Sequence, residues 1–317
     1  MAQKLAGKVV AITGGGRGIG RAVALRMAEE GARIVVADYG GPLETIGTGS
    51  PVPAEAVVKE IIENGSQAVA VHENVATTSG GEKVTNAALE HFGRLDGLVC
   101  CAGINSPRKP LWEVTEEEWD SVTTVHLKGH FLCIRAAIPV MMRQGSGRLI
   151  LFSSNASMGS RAVGVAGDGG TGPYGVAKAG ILGLLWGTAP ALQEHGITMN
   201  AMFPGAATRM IDQGLPDTEA GRRLKSEHAV GTWRDPTNVA PAIIYLVSDA
   251  GAKTTGQIFG AIGSRIIHFD PIKPRKMVVK NGFWEVDELI DVFPKEFGEE
   301  LSYDPGPWPP KMEPVVY

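Results

Sequence analysis

Cysteine is scarce in this sequence, which argues against a domain held together by disulfides or by zinc. The 317 residues contain three cysteines, Cys100, Cys101 and Cys133, and the first two are adjacent within an apolar run. A disulfide framework normally uses an even number of cysteines that are spread along the chain. Because the three also lack the paired spacing of zinc ligands, we expect no disulfide and no metal site.

The sequence also lacks a large excess of basic or acidic residues, and it lacks long apolar segments. The sequence has 30 Lys and Arg against 34 Asp and Glu, a net charge of -4, so it has no basic surplus to attract nucleic-acid phosphates. Residues 1–8 lack the apolar core of a secretory signal, and later apolar stretches are interrupted by glycine or polar residues. We therefore expect a cytoplasmic protein with no nucleic-acid or membrane partner.

What the sequence does contain is a regular alternation of short β-branched runs with long helical patterns, in a chain that is 44% hydrophobic. The predicted strands are residues 8–13, 33–37, 67–71, 97–101, 148–152 and 197–203. The predicted helices are residues 19–30, 53–64, 80–92, 115–143 and 173–195. This βα alternation predicts an α/β fold, a single Rossmann-type doubly wound parallel sheet with helices on both faces.

Two segments depart from this alternation. Residues 40–53 are rich in Gly, Pro, Ser and Thr and follow the second predicted strand, where a long loop either covers a ligand or is mobile. Beyond residue 263 prolines become frequent, and an amphipathic pattern over 284–300 predicts a short helix. We therefore predict one domain over residues 1–263 and a Pro-rich C-terminal extension over 264–317.

A glycine-punctuated loop predicts a dinucleotide site. Gly14, Gly18 and Gly20 lie between the first strand and its helix, where small residues let the backbone approach a pyrophosphate. Asp38 ends the second strand, where a carboxylate can bind the adenosine ribose hydroxyls and repel a 2′-phosphate. Arg17 would favour NADP unless it pairs with solvent or pyrophosphate. We predict NAD as the cofactor.

Tyr174 and Lys178 form a candidate general acid/base pair. Four residues apart on a predicted helix, they share one face. A neighbouring ammonium and a cationic nicotinamide ring would lower the pKa of the tyrosine from its usual value of about 10. The same spacing also arises by chance on exposed helices.

These features occur in an order that resembles the classical short-chain dehydrogenase/reductase family, over roughly residues 5–262. The resemblance implies that Ser154 orients the substrate oxygen, Tyr174 transfers the proton, and Lys178 binds the nicotinamide ribose. Ser153 and Ser157 remain alternatives for the serine role. Residues predicted to bind the cofactor are Gly14, Arg17, Gly18, Ile19, Gly20, Asp38, Asn74, Val75, Ala102, Gly103, Tyr174, Lys178, Pro204, Gly205 and Thr208. The amide oxygen of Asn74 could accept a hydrogen bond from the adenine amino group, or Asn74 could be an ordinary turn residue.

The sequence departs from the family pattern at three places. Cys100 and Cys101 replace two asparagines, and we expect them to be buried core residues and not reactive thiols. His126 stands where the family has an asparagine that holds a proton-relay water, so it is either a catalytic relay or a structural histidine. The segment between Ser154 and Tyr174 is longer than usual and is expected to border the substrate.

Within the family, the sequence is similar to the (3R)-hydroxyacyl-CoA dehydrogenase unit of type 2 multifunctional enzymes. That similarity implies an alcohol or ketone substrate of the 3-hydroxyacyl thioester type and a lid over residues 208–228. The family also implies a homotetramer, or a dimer, formed through helices 115–143 and 173–195. The alternative function is a non-catalytic dinucleotide-binding sensor or scaffold with the same fold.

Overall fold

The computed structural model describes residues 3–44, 46–107, 109–159, 172–272 and 274–298. Its strands are β1 (Val9–Thr13), β2 (Arg33–Ala37), β3 (Ala68–Val71), β4 (Gly97–Cys100), β5 (Gly147–Phe152), β6 (Ile197–Gly205), β7 (Ile258–Ile262) and β8 (Arg265–Phe269). They form one sheet in the order β3-β2-β1-β4-β5-β6-β7-β8. All neighbouring strands run parallel except β7 and β8, which are antiparallel. The predicted doubly wound α/β sheet is confirmed.

Helices connect the strands and cover both faces of the sheet. They are α1 (Gly18–Glu29), α2 (Val52–Glu63), α3 (Thr78–Phe92), α4 (Glu116–Thr123), α5 (Gly129–Gln144), α6 (Gly172–Leu192), α7 (Arg209–Asp212), α8 (Glu219–Arg223), α9 (Ala240–Val247) and α10 (Val286–Phe297). The single helix predicted over 115–143 is divided, because a π-helical turn at Thr124–Lys128 separates α4 from α5. Such turns are frequent at functional sites.

Two apolar clusters, one on each face, hold the sheet between the helices. One contains Leu98 and Leu149 with α6 residues such as Ile181. The other contains Val10 and Ile150 with residues of α1, α2 and α9. Because both faces are covered, the strands are continuous apolar runs, and this made them recognisable in the sequence.

Helix α6 with the turn after it, Gly172–His195, is long and apolar enough to cross a membrane by length and composition alone. Its inward residues, among them Ile181, Leu185 and Ala189, pack into the core against the sheet. The core helix of a globular domain passes the same test, so this single helix is weak evidence for a membrane span.

The C-terminal part of the sheet was not predicted. Strands β7 and β8 form an antiparallel pair, and β8 lies past residue 263, the boundary predicted from the sequence. The first residues of the extension therefore complete the sheet. Within the extension α10 lies inside the predicted helical segment 284–300, whose last two residues are outside the described part, as are residues 301–317.

Candidate active site

The candidate site is a cavity at the carboxyl ends of the strands, where the strand order reverses between β1 and β4. This is the position at which open α/β sheets bind ligands. Of the residues predicted for the site, the cavity is lined by Gly14, Arg17, Gly18, Ile19, Gly20, Asp38, Asn74, Val75, Ala102, Gly103, His126, Tyr174, Lys178, Pro204 and Thr208. Ser154 and Gly205 are outside this lining, whereas Ser153 belongs to it. The chain thus brings nearly all of the predicted residues together.

The glycine loop after β1 has no room for side chains at two positions. Gly14 has a φ of +67°, and a Cβ there would lie 2.8 Å from the Cα of Ala102. A Cβ at Gly20 would lie 2.1 Å from the carbonyl oxygen of Gly14. The backbone therefore lies bare at the amino end of α1, where backbone N–H groups and the helix dipole favour an anionic phosphate.

Asp38 is held in place at the end of β2 by two backbone donors. Gly16 N–H donates to its Oδ2 at 2.8 Å, and Gly40 N–H donates to its Oδ1 at 2.7 Å. The carboxylate thus braces the glycine loop while it lines the cavity. Arg17 donates from Nη1 to the carbonyl oxygen of Gly41 at 3.3 Å, so part of its guanidinium is used by the loop after β2.

Asn74 takes up the turn geometry that was the alternative to adenine binding. Its Oδ1 accepts from the N–H of Ala76 at 3.0 Å, in a side-chain-to-backbone turn two residues long. The residue still lines the cavity, so an additional contact with adenine stays a prediction.

Helix α6 carries Tyr174 and Lys178 on the face that meets β5. The Nζ of Lys178 donates to the carbonyl oxygen of Phe152 at 2.6 Å and lies 5.4 Å from the centre of the Tyr174 ring. The Ser154 hydroxyl donates to Asn155 Oδ1 at 3.1 Å and is near enough to Tyr174 to affect its pKa by hydrogen bonding. Ser153 instead donates to the carbonyl oxygen of Lys178 at 2.8 Å, and this hydroxyl is buried. Ser154 is thus the serine nearer to the tyrosine hydroxyl, and its role toward a substrate stays a prediction.

Burial dominates the electrostatics of the pair in the protein alone. Burial raises the pKa of Tyr174, and the opposing hydrogen bond with Ser154 does not compensate. Burial also lowers the pKa of Lys178 to about 8. The prediction that an ammonium and a cationic nicotinamide ring together lower the pKa of Tyr174 concerns the cofactor complex and stays a prediction; in the protein alone, loss of solvation of the phenolate is the largest cause acting on this pKa.

His126 lies in the π-helical turn, and its ring is held by the backbone of Ile104. Its Nε2 is 2.8 Å from the carbonyl oxygen of Ile104 and 3.1 Å from the N–H of the same residue. The ring meets that of Tyr174 edge-on, with centres 5.0 Å apart. Burial, with the charge of Lys178, holds its pKa well below the usual range, so the imidazole is neutral. Its Nδ1 has no hydrogen-bond partner among the described residues.

A second buried histidine, one helical turn further on, was missed by the sequence analysis. Burial lowers the pKa of His130 to about 3, although its ring hydrogen-bonds with the backbone of Cys100 and His126. The i, i+4 spacing from His126 was the available signal, since such residues share a helix face. A second neutral imidazole therefore lies buried one helical turn from His126.

The cysteines behave as buried core residues, as predicted. Cys100 and Cys133 are buried and Cys101 is half-buried, and all three are free thiols. Burial raises the pKa of Cys101 to about 12, and a hydrogen bond with Cys133 together with burial raises that of Cys100. Reactive cysteines have lowered pKa values, so Cys100 and Cys101 are not activated thiols. Across the described ranges, no three His, Cys, Asp or Glu side chains are grouped to hold a metal ion.

The segment predicted as a lid forms short helices beside the cavity. Within residues 208–228 lie α7, α8 and a 3₁₀ turn, and Thr208, Arg209 and Ile211 line the cavity. Arg222 and Arg223 pair with acidic neighbours on the surface. The long insert expected to border the substrate, residues 160–171, is outside the described part of the chain.

The arrangement described above matches one known family. Residues 14–261 match the sequence profile of a family described as "Enoyl-(Acyl carrier protein) reductase". The chain belongs to the short-chain dehydrogenase/reductase family. It is therefore an oxidoreductase of this type, and the family binds a nicotinamide dinucleotide.

Similar proteins agree with this assignment. The chain is 38% identical over 250 residues to peroxisomal multifunctional enzyme type 2 of Mus musculus, an alignment over 79% of this chain and 31% of that enzyme. It is 36% identical to the 3-oxoacyl-[acyl-carrier-protein] reductase FabG of Staphylococcus aureus, over 79% of this chain and 94% of that one. A crystal structure of a short chain dehydrogenase from Mycobacterium avium matches 96% of this chain and 98% of its own, with a TM-score of 0.76 and 34% identity. The chain thus spans about a third of the mouse enzyme and nearly all of the bacterial relatives.

Proposed function

We propose that this protein is an NAD-dependent alcohol dehydrogenase or carbonyl reductase that interconverts a 3-hydroxyacyl thioester and the corresponding ketone. The observation that carries the proposal is one cavity with Asp38 and the glycine loop among its walls and with Tyr174 and Lys178 also lining it. Ser154 adjoins the tyrosine. A cofactor site and an acid/base group in one cavity are what hydride exchange at a carbinol carbon requires.

The residues present fit a nicotinamide dinucleotide. Gly14 and Gly20 leave the backbone bare for a pyrophosphate, and Lys178 and Tyr174 lie further along the same cavity. When bound, the dinucleotide supplies the hydride donor or acceptor. In oxidation, Tyr174 Oη accepts the hydroxyl proton of the substrate, and in reduction it donates that proton. Ser154 would hydrogen-bond the same substrate oxygen, and Lys178 would bind the nicotinamide ribose.

NAD is preferred over NADP in this proposal because of Asp38. Its carboxylate lines the cavity at the end of β2, where the adenosine ribose is expected. A 2′-phosphate at that position would meet a negative charge, whereas the ribose hydroxyls can donate to it. The contact between Arg17 and Gly41 further supports NAD, because part of that guanidinium is used by the loop and not directed at a phosphate.

Two relatives of different architecture support the proposed substrate class. The bacterial relative is by name a 3-oxoacyl reductase, and the sequence also resembles the hydroxyacyl-CoA dehydrogenase unit of multifunctional enzymes. Both point to an oxygen at carbon 3 of an acyl thioester. The mobile lid over residues 208–228, the cytoplasmic location and the homotetramer remain predictions.

The test is NADH-linked absorbance with a panel of 3-hydroxyacyl-CoA thioesters, hydroxysteroids and simple secondary alcohols, with NADP in parallel. We expect turnover to be concentrated on the thioesters with NAD. Turnover on steroids or simple alcohols alone would reject the thioester. Measurable NADH binding without turnover on any of them would instead favour the non-catalytic sensor.

A further inference from the structure

The loop between β2 and α2 makes contacts that the proposed reaction does not use. Its described residues, 39–44 and 46–50, are called the strap below. Part of the strap lines the dinucleotide cavity, through Tyr39, Gly40, Gly41, Pro42, Leu43 and Ile46. Long loops without secondary structure in a compact domain are commonly functional.

The strap is fastened to the segment that follows β4. The N–H of Asn105 donates to the carbonyl oxygen of Leu43 at 2.6 Å. Ile46 packs against an apolar cluster of Ala76, Ile104 and Val125. Strands β2 and β4 flank β1 in the sheet, and the glycine loop follows β1. A connection from the end of β2 to the segment after β4 therefore crosses the carboxyl end of β1, where the dinucleotide phosphates are expected.

The strap also meets the glycine loop and the lid. Arg17 donates to the carbonyl oxygen of Gly41, as described above. The Glu44 carboxylate hydrogen-bonds with the side chain of Gln213, the residue directly after α7. Glu44 and Asp38 attract the guanidinium of Arg209, although burial together with the charge of Arg17 leaves the pKa of that group lowered. Three separate elements thus hold the strap across the cavity.

The two ends of the strap are drawn together in a way that requires glycine. The N–H of Ser50 donates to the carbonyl oxygen of Tyr39 at 2.9 Å. A Cβ at Gly40 would lie 2.0 Å from the carbonyl oxygen of Ser50, and one at Gly49 would lie 2.2 Å from that of Tyr39. The Tyr39 ring is stacked on His72, with centres 5.6 Å apart. The shape of the strap is therefore built into its sequence.

We infer that the strap retains the bound dinucleotide, so that cofactor exchange requires Leu43 and Ile46 to detach from the segment after β4. Exchange is slower than it would be in an open cleft, because these contacts must break before the phosphates can leave. The inference rests on the dinucleotide site of the family. It depends neither on the thioester substrate nor on the NAD preference proposed above.

The experiment is stopped-flow release of NADH from the full-length protein, chased with excess NAD⁺ and followed by nicotinamide fluorescence. Ile46→Ala should raise the dissociation rate constant about tenfold, which corresponds to about 1.4 kcal/mol. Gln213→Ala, which removes one exposed hydrogen bond, should raise it about two- to threefold. The matched control is Ile62→Ala on α2, whose side chain is 54% exposed and outside the cavity lining; its rate should equal that of the wild type.

A dissociation rate for folded Ile46→Ala within twofold of the wild type would overturn the inference. If Ile46→Ala does not fold, Gln213→Ala decides alone, and an unchanged rate for that variant has the same meaning. The same chase with NADPH separates the two proposals. Equal retention of both dinucleotides, relaxed by Ile46→Ala, would support the strap and contradict the NAD preference.

Discussion

Gly103 and His126 are packed so closely that one added methyl group should disturb both the fold and the surroundings of Tyr174. A Cβ at Gly103 would lie 2.5 Å from Cε1 of His126. The imidazole has little room to withdraw, because it is 1% exposed and its Nε2 is 2.8 Å from the carbonyl oxygen of Ile104. We therefore expect Gly103→Ala to displace the His126 ring, whose centre lies 5.0 Å from that of the Tyr174 ring.

The magnitude follows from the cost of overpacking. Inserting a methyl group into a well-packed core costs about 1–3 kcal/mol of unfolding free energy. For a chain of this size each kcal/mol lowers the melting temperature by about 2–4 °C. We expect the losses of unfolding free energy and of melting temperature caused by Gly103→Ala to fall within these ranges when measured by urea and thermal unfolding. Gly129→Ala is the control, because a Cβ there would meet Val75 at an ordinary contact distance of 3.4 Å.

A double-mutant cycle tests the contact itself. His126→Asn alone should destabilise the protein by about 1–3 kcal/mol, because it leaves the Ile104 backbone groups without their partner. In the double variant Gly103→Ala/His126→Asn, the asparagine side chain is smaller than the imidazole and leaves room for the alanine methyl group. The penalty of Gly103→Ala should then shrink, with a coupling energy of about 1 kcal/mol. Strictly additive penalties, or a Gly103→Ala variant as stable as the wild type, would refute the steric argument.

Three further outcomes follow from the site. Tyr174→Phe should leave NAD affinity nearly unchanged and lower kcat at least about 100-fold, the loss typical of general acid/base chemistry; retained turnover would remove the tyrosine from the mechanism. Asp38→Ala should lower the ratio of kcat/KM with NAD to that with NADP about tenfold or more, as for a charged hydrogen bond, and an unchanged ratio would mean that another group reads the ribose. The free energy of unfolding of the cofactor-free wild type, compared with that of Lys178→Met, should rise between about pH 8 and 10.5. Burial lowers the pKa of Lys178 in the folded protein to about 8, whereas the unfolded lysine keeps its proton up to its usual pKa of 10.5. A flat difference in urea unfolding over that window would show that the lysine is not desolvated.

Strands β1 to β6 were predictable, whereas the buried strand β7 and the edge strand β8 were missed. Strand β2 begins and ends at the predicted residues, because its run of Ile and Val is apolar throughout and is bounded by polar or small residues. Strand β8 has the opposite character, since it is one of the two edge strands and all of its residues are exposed or half-exposed. An edge strand needs neither a continuous apolar run nor a strict alternation, so its sequence carried little signal.

The site was predictable where its residues are close together in the sequence. The glycine loop and the Tyr174–Lys178 pair are local patterns, and the structure brings both to the same cavity. The choice between Ser153 and Ser154 depended on which hydroxyl faces the tyrosine, and only the fold supplies that information. The partners of the strap, Asn105 and Gln213, are far from it in the sequence and belong to no motif. Contacts of that kind leave no local pattern.

The burial of the reacting groups bears on how the phenol can work as a base. Burial is the largest cause acting on the pKa of both Tyr174 and Lys178, and in each case it disfavours the charged form. The hydrogen bond with Ser154 stabilises the phenolate but does not restore its usual pKa. A positive charge beside the ring is therefore needed to make the phenolate accessible near neutral pH, and an oxidised nicotinamide carries one. The proposed oxidation thus depends on the dinucleotide for proton transfer as well as for hydride transfer, and a strap that keeps the dinucleotide in place keeps Tyr174 competent as a base.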